Sequence, residues 1–233
     1  MNTLYLIPST IGDVEISQIL PAYLTNIIDS VYCYIVENER SARRFLLKAG
    51  LKNSIDELTF FVLDKHTNRE GIEKFLEPAD HEDIGLLSEA GVPCIADPGA
   101  EIVKLAHKKG LRVVPLVGPS SILMAMMASG LNGQNFAFTG YLPVKSHELT
   151  SRIKQLESRS QQENQSQIFI EAPYRNNQLI KTLLQTCHPE TLLCIAADIS
   201  TKTEFIHTKP VKDWKKEIPD LHKRPAIFIL HRQ

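Results

Sequence analysis

Ile84-Gly85-Leu86-Leu87-Ser88-Glu89-Ala90-Gly91-Val92-Pro93, running on through Cys94, Ile95 and Ala96 to Asp97-Pro98-Gly99, is the stretch from which the fold follows. Its first five residues form a short apolar run bounded by turn residues, the pattern of a buried strand over Ile84–Ser88. Glycine and proline then impose a loop. A helical period follows over Ala100–Lys109 and stops at Gly110, where a left-handed C-cap fits. Arg112–Leu116 reads as the next strand. Strand, loop, helix and strand in this order make a parallel crossover.

The alternation extends in both directions. Upstream, strands are expected at Leu4–Ile7, Val31–Val36 and Leu58–Leu63, and helices at Ile16–Ile28, Glu39–Ala49 and Arg69–Leu76. Downstream of Gly118-Pro119, a helix is expected at Ser121–Ser129, then strands at Phe136–Tyr141, Gln167–Glu171, Leu192–Ala197 and Ala226–Leu230. Further helices fall at His147–Glu157 and Asn177–Thr186, and the Gln- and Ser-rich segment Ser158–Gln167 reads as a mobile polar loop. Repeated βα units predict an α/β fold with a mainly parallel sheet covered on both faces.

With 233 residues, 43% hydrophobic and 23% charged, 11 Gly and 13 Pro, the chain has the composition of a folded globular protein of one large or two small domains. Disordered, collagen-like and low-complexity classes are excluded. No run approaches the roughly 18 apolar residues of a membrane helix, and Met1–Tyr5 enters a strand without a basic leader. Cys33, Cys94, Cys187 and Cys194 lack CxxC spacing and sit in apolar contexts, as reduced core residues do. The expected location is the cytoplasm. Residues 1–118 hold 12 Lys and Arg against 17 Asp and Glu, and residues 119–233 hold 14 against 10, so the second half is the one that suits a polyanion.

The common signatures are missing: no GxGxxG, no GxxxxGK[ST], no GxSxG and no HExxH. No ligand cluster for a metal is visible. What remains is a set of Gly- and Pro-bearing loops at predicted strand ends, where α/β sheets bind ligands. They are Pro8–Asp13, Ser88–Pro93 running to Asp97-Pro98-Gly99, Val117–Ser121 and Glu171–Arg175. Each alone has a plain structural explanation. Gly91 and Gly99 suit turns, Ser120 suits an N-cap, and Asp97-Pro98 suits a turn pair. Together they favour a ligand cleft.

In order along the chain, Leu4–Gly12, Leu87–Pro93 through Gly99, Val113–Ser121, Gly140–Ser146 and Phe169–Arg175 resemble the tetrapyrrole methylase superfamily of S-adenosylmethionine-dependent methyltransferases. Within it, the chain is most similar to the ribosomal RNA small subunit methyltransferase I group. That resemblance implies two α/β domains of the tetrapyrrole methylase type, expected at 1–117 with a mainly parallel sheet and at 118–233 with a mixed sheet. It implies a cofactor cleft between them and a homodimer. It implies S-adenosyl-L-methionine contacts at Ile11, Glu89, Ala90, Gly91, Val92, Ser121, Ile122, Glu171, Ala197 and Ala226. The implied reaction is methylation of a ribose 2′-hydroxyl, expected on a cytidine, in small-subunit ribosomal RNA. Glu37 and His66 are then the candidates for removing the hydroxyl proton, and Arg40, Lys145, Arg152 and Arg175 are candidates for meeting the RNA substrate.

The chain departs from that pattern where Glu37-Asn38-Glu39-Arg40 replaces Glu-Asp-Thr-Arg, where Asp64-Lys65-His66-Thr67 replaces paired histidines followed by Asn, and at Glu89, which stands for an Asp. It also stops soon after the last strand. These departures leave two alternatives open: the same chemistry on another RNA, a protein or a small molecule, and a noncatalytic binder of the cofactor.

Overall fold

Apolar residues along Ile84–Leu87 suit a strand covered on both faces. In the computed structural model, which describes residues 2–63, 67 and 69–233 but not the side chains of Arg69 and Glu70, this segment is the wholly buried β4. It pairs in parallel with β1 (Thr3–Ile7) and with β2 (Cys33–Val36). β3 (Thr59–Val62) extends the sheet beside β2 and β5 (Arg112–Pro115) beside β1, both in parallel, giving the order β3-β2-β4-β1-β5. Gly85 is required at the centre, because a Cβ there would lie 2.9 Å from Ile7 Cδ1 and from the Tyr34 ring. Pro115 is accommodated because β5 is an edge strand.

The chain divides into two units, Met1–Ser120 and Ser121–Gln233, and this first sheet belongs to the former. Its helices are α1 (Ile16–Ile19), α2 (Tyr23–Ser30), α3 (Glu39–Lys48), α4 (Arg69–Phe75) and α5 (Gly99–Lys108). The single helix expected over Ile16–Ile28 is thus two. Pro21 lacks the N–H that a continuous helix needs and its ring clashes with the carbonyl four residues earlier. Apolar residues from both faces of the sheet form separate cores, one around Ile7, Leu24, Ile28, Tyr34 and Leu46, the other around Leu4, Ile35, Leu76, Ile84 and Ile102.

The second unit has a mixed sheet. β6 (Phe136–Tyr141) and β7 (Ser166–Ile170) are parallel, whereas β10 (Ala226–His231) runs antiparallel to β7 and to β8 (Leu192–Ala197), and β9 (Phe205–Pro210) runs antiparallel to β8. Its helices are α6 (Ser121–Ser129), α7 (Ser146–Glu163), α8 (Asn176–Thr186) and α9 (Val211–Trp214). The core gathers Ile153, Phe169, Leu183, Ile195, Trp214 and Phe228, and the Trp214 indole donates to Leu193 O at 2.8 Å.

Ser158–Gln167 is not a loop: α7 continues to Glu163 and ends at Asn164, whose φ of 47° gives the left-handed cap, and β7 begins at Ser166. The polar residues are the solvent side of a helix whose buried side carries Leu149, Ile153, Leu156 and Ser160. β9 was unforeseen because Phe205-Ile206-His207-Thr208-Lys209-Pro210 has the mixed character of an edge strand paired on one side.

Glu157 is a buried carboxylate in this unit. It accepts from His188 N at 2.7 Å and from the Thr191 hydroxyl, and Arg232 Nη1 lies 3.9 Å away. It therefore ties α7 to the turn between α8 and β8. Glu157→Ala leaves those donors unpaired, and a loss of about 2–4 kcal/mol is expected, seen as a melting temperature lower by roughly 5–15 °C. Glu157→Gln should retain part of it.

The cysteines are free. Burial, aided by Glu82, pushes the Cys33 thiol up to about 12, and burial, aided by Asp97, does the same for Cys94. Burial also raises Cys187 and Cys194. At pH 8 a thiol of pKa 12 is ionised in only about one molecule in ten thousand. A disulfide exchange reagent is therefore expected to label native protein at least about a hundredfold more slowly than urea-unfolded protein, and fast labelling of a native thiol would contradict this packing.

Candidate active site

Strand ends of the first unit converge because β1, β2 and β4 are neighbours and parallel. Ser9, Glu37 and Ser88 leave their carboxyl ends side by side and line a cleft of about 400 Å³, the position at which α/β sheets carry ligands. Ser9 N and Ser88 Oγ both donate to Gly91 O at 2.9 Å. Val92 N donates to Pro119 O at 3.1 Å. Gly91 has φ 74°, and a Cβ on it would lie 2.9 Å from Pro119 O and from Ile11 Cγ2, so this loop accepts no other residue without strain. Ile11 and Glu89–Val92 are therefore brought together.

Glu37 follows β2 and is half-buried; its Oε1 accepts from Glu89 N at 3.3 Å. Glu89 Oε1 accepts from Ser41 Oγ at 2.6 Å. Asn38 is the N-cap of α3, accepting from Ser41 N at 3.1 Å. Asn caps a helix as well as Asp does, which accounts physically for the replacement at this position. Asp97 holds the same loop from the other side, accepting from Cys94 N and Gly99 N at 2.8 and 2.7 Å. The Asp97-Pro98 pair thus serves as a helix-start clamp, and Cys94 and Ala96 take positive φ of 70° and 65° around it.

Arg40 is exposed on α3, but the helix lines the cleft with Ser41, Ala42, Arg44, Phe45 and Lys48 instead. Sequence reasoning passed over these residues. The i, i+3, i+4, i+7 spacing of Ser41, Arg44, Phe45 and Lys48 is the signal that one helix face presents them together. Arg43 points to other partners, ion-paired with Glu39 at 2.8 Å and Asp56 at 3.0 Å. His66, with Asp64 and Lys65, lies outside the described residues.

In the second unit, antiparallel pairing sets the start of β10 beside the ends of its neighbours. Ala226 is registered with Ala197, and Ile227 with Ile170, so Glu171, Ala197 and Ala226 lie together at one end of the three central strands. Glu171 is buried; Oε1 accepts from Ala172 N at 2.8 Å. Its Oε2 is 3.0 Å from Arg175 Nη2, yet no well-directed hydrogen bond reaches it. Arg175 is thus occupied by a carboxylate. Asp198, with φ 50°, and Lys223, with φ 60°, turn the chain beside Ala197 and Ala226. Arg224 braces both turns, donating to Asp198 Oδ2 at 2.7 Å and to Thr203 O at 2.8 Å. Neither Asp198 nor Arg224 stood out in the sequence, because β9 and α9 lie between them along the chain. Ser121 and Ile122 open α6 and are half-buried. Lys145 caps the start of α7 and pairs with Glu148 at 3.3 Å, and Arg152 is directed to Gln155 at 3.5 Å on the same helix. Among the described residues, no hydrogen bond brings either of them to Glu171.

No family model matches the chain. Proteins named Ribosomal RNA small subunit methyltransferase I are similar to it along nearly its whole length. The Pseudomonas aeruginosa protein is 30% identical over 217 residues, covering 91% of this chain and 73% of its own. That of Xylella fastidiosa is 30% identical over 231 residues, covering 98% and 80%, and that of Escherichia coli O157:H7 is 28% identical over 232, covering 97% and 77%. Among solved structures, Uroporphyrin III C-methyl transferase from Thermus thermophilus has a TM-score of 0.60 at 17% identity over 99% of this chain and 98% of its own. The methyltransferase CobJ has 0.63 at 14% identity over 99% and 93%. The structural likeness fixes the two-sheet α/β architecture as that of the tetrapyrrole methyltransferases. Identity of 30% to these relatives over nine-tenths or more of the chain makes this protein a member of the ribosomal RNA small subunit methyltransferase I family and a methyltransferase.

Proposed function

We propose that this methyltransferase transfers the methyl group of S-adenosyl-L-methionine to a ribose 2′-hydroxyl, on a cytidine, of small-subunit ribosomal RNA. The observation that carries the reading is the pairing of Glu37 with the Gly91 loop at the carboxyl ends of β2 and β4 in a chain of this family. In this reading the protein works as a homodimer in the cytoplasm.

The residues present suit such a cofactor. Polar and charged atoms of a nucleoside and an amino acid need backbone donors and acceptors at close range. Glu89–Val92 and Ile11 would supply these in the first unit; Ser121, Ile122, Ala197 and Ala226 are the further contacts that the family resemblance implies. Glu171, with a buried Oε2 that accepts no hydrogen bond, would receive an N–H or O–H donor. When bound, S-adenosylmethionine supplies an electrophilic methyl carbon on a sulfonium, and displacement there requires the acceptor oxygen in line with the carbon–sulfur bond. The protein's part is alignment and proton removal. Rigid placement of the reacting atoms is worth up to roughly 7–11 kcal/mol. A ribose hydroxyl is a weak nucleophile, and Glu37, held through Oε1 by Glu89 N, is the group assigned to accept its proton. Arg40, Lys145 and Arg152 remain assigned to the RNA backbone at longer reach. Arg175 serves Glu171 first.

Labelled methyl from S-adenosylmethionine should appear at a ribose when the protein is incubated with purified small ribosomal subunits, and nuclease mapping should place it on a cytidine. Label in protein or small molecules alone would overturn the acceptor. Glu37→Gln should cut turnover by about 10²–10⁴-fold with cofactor affinity and melting temperature retained; unchanged turnover removes Glu37 as the base.

Gly91→Ala forces a Cβ to within 2.9 Å of Pro119 O at a positive φ. Calorimetry should show cofactor affinity reduced at least about tenfold, together with a melting temperature lowered by roughly 3–8 °C, the effect of about 1–3 kcal/mol of backbone strain.

A further inference from the structure

The cleft of the Met1–Ser120 unit contains more chemistry than a base needs. Its charged groups are the carboxylates Asp13, Glu37 and Glu89 and the cations Arg44 and Lys48. Lys48 is committed, donating to Asp13 Oδ1 at 3.2 Å and to Val14 O at 2.9 Å. Glu89 and Glu37 are linked through Ser41 Oγ and Glu89 N. Arg44 differs: it lines the cleft, and among the described residues it makes no hydrogen bond and no ion pair. A second observation concerns Ser9, which lines the same cleft with its hydroxyl buried and, among the described residues, without a hydrogen-bond partner. Such a group costs folding free energy unless a ligand satisfies it.

A bare anion does not suit this cleft, since Asp13 is paired with Lys48 while Glu37 and Glu89 face the cleft and repel further negative charge. A neutral sugar does not explain Arg44. A ribonucleotide answers both, with hydroxyls to donate to carboxylates and a phosphate to accept from a guanidinium. The volume of about 400 Å³ admits one such residue. The geometry points to this cleft as the seat of one nucleotide of an RNA acceptor, its ribose toward Glu37 and Glu89, its phosphate on Arg44, and Ser9 donating to a sugar or phosphate oxygen. This rests on the reading of the protein as an RNA methyltransferase. Arg44 is then the phosphate contact that α3 supplies inside the cleft, with Arg40 left to the RNA backbone outside it.

The test compares wild type with Arg44→Ala, Arg44→Lys and Ser9→Ala, using Lys104→Ala on α5 as a charge-matched control. Binding and methylation of small-subunit ribosomal RNA are followed across a salt series, with calorimetry of S-adenosylmethionine binding and thermal melting beside them. Arg44→Ala should raise KM for RNA about tenfold with kcat little changed. It should also reduce the slope of log K against log salt by about 0.7, the share of one phosphate contact on a single strand. Cofactor affinity and melting temperature should hold. Arg44→Lys should recover the salt slope, and Lys104→Ala should leave it alone. Ser9→Ala should raise KM severalfold without lowering the melting temperature, whereas a hydroxyl with a purely structural role would lower it. An Arg44→Ala protein with the wild-type KM and slope overturns the proposal. A matching fall in cofactor affinity also overturns it and gives the cleft to the cofactor. A wild-type protein that shows no salt-dependent RNA binding overturns the RNA reading beneath it.

Discussion

The carbonyl of Gly91 holds together the region on which the rest of the first unit's chemistry depends. It accepts from the backbone after β1 and from a side chain after β4, while the next amide, Val92 N, reaches the backbone after β5. Three strand-end loops are thereby closed on one another by main chain alone, over a residue with no Cβ and a positive φ. Backbone contacts of this kind do not relax by rotamer changes. The placements of Ile11, of Glu89 and, through Glu89 N, of Glu37 all derive from this closure. It exists only because the sheet order seats β4 between β1 and β2, with β5 on the far side of β1.

The second unit reaches comparable rigidity by another route. Its antiparallel register aligns the beginning of one strand with the ends of two others, so residues far apart in the chain meet at one end of the sheet's central strands. Three left-handed residues, Asp198, Ser200 and Lys223, shape the adjoining turns. Non-glycine residues in that conformation carry strain that their surroundings must offset. The Arg224 guanidinium offsets it by binding Asp198 and Thr203 together, and Asn176 Nδ2 donates to Arg224 O at 2.6 Å, fixing the arginine's own backbone. Glu171 stands beside this brace as a buried carboxylate with one ion pair, and removing a charge from water is costly unless it is fully partnered. A site that is incompletely satisfied by its own protein is the kind that a polar ligand completes.

Helix α3 shows how one element serves structure and site together. Its buried side, Ala42 and Leu46, anchors it to the core, and Arg43 spends its charge on Glu39 and Asp56. The face turned by one further residue presents Ser41, Arg44 and Lys48 to the cleft. A helix period thus separates, within eight residues, positions that hold the fold from positions available to a substrate.

The amino-acid sequence by itself determined the α/β class, the parallel first sheet and the loops at strand ends, because these rest on local apolar period and on Gly and Pro, whose backbone limits are intrinsic. It also carried the family resemblance, since that lies in contiguous stretches around Gly91 and Glu171. It misled at Ser158–Gln167, where a polar composition concealed the solvent side of α7, and at Ile16–Ile28, where an apolar period ran across Pro21. It was silent on β9, whose edge position weakens the alternation. What only the tertiary structure decided is which side chains meet: that Ser41 reaches Glu89, that Glu37 lies against the Gly91 loop, that Arg175 is taken by Glu171, and that Arg224 grips Asp198. These pairings depend on strand order and register, which are set by the packing of two sheets' worth of distant residues and leave no mark in any short stretch of the chain.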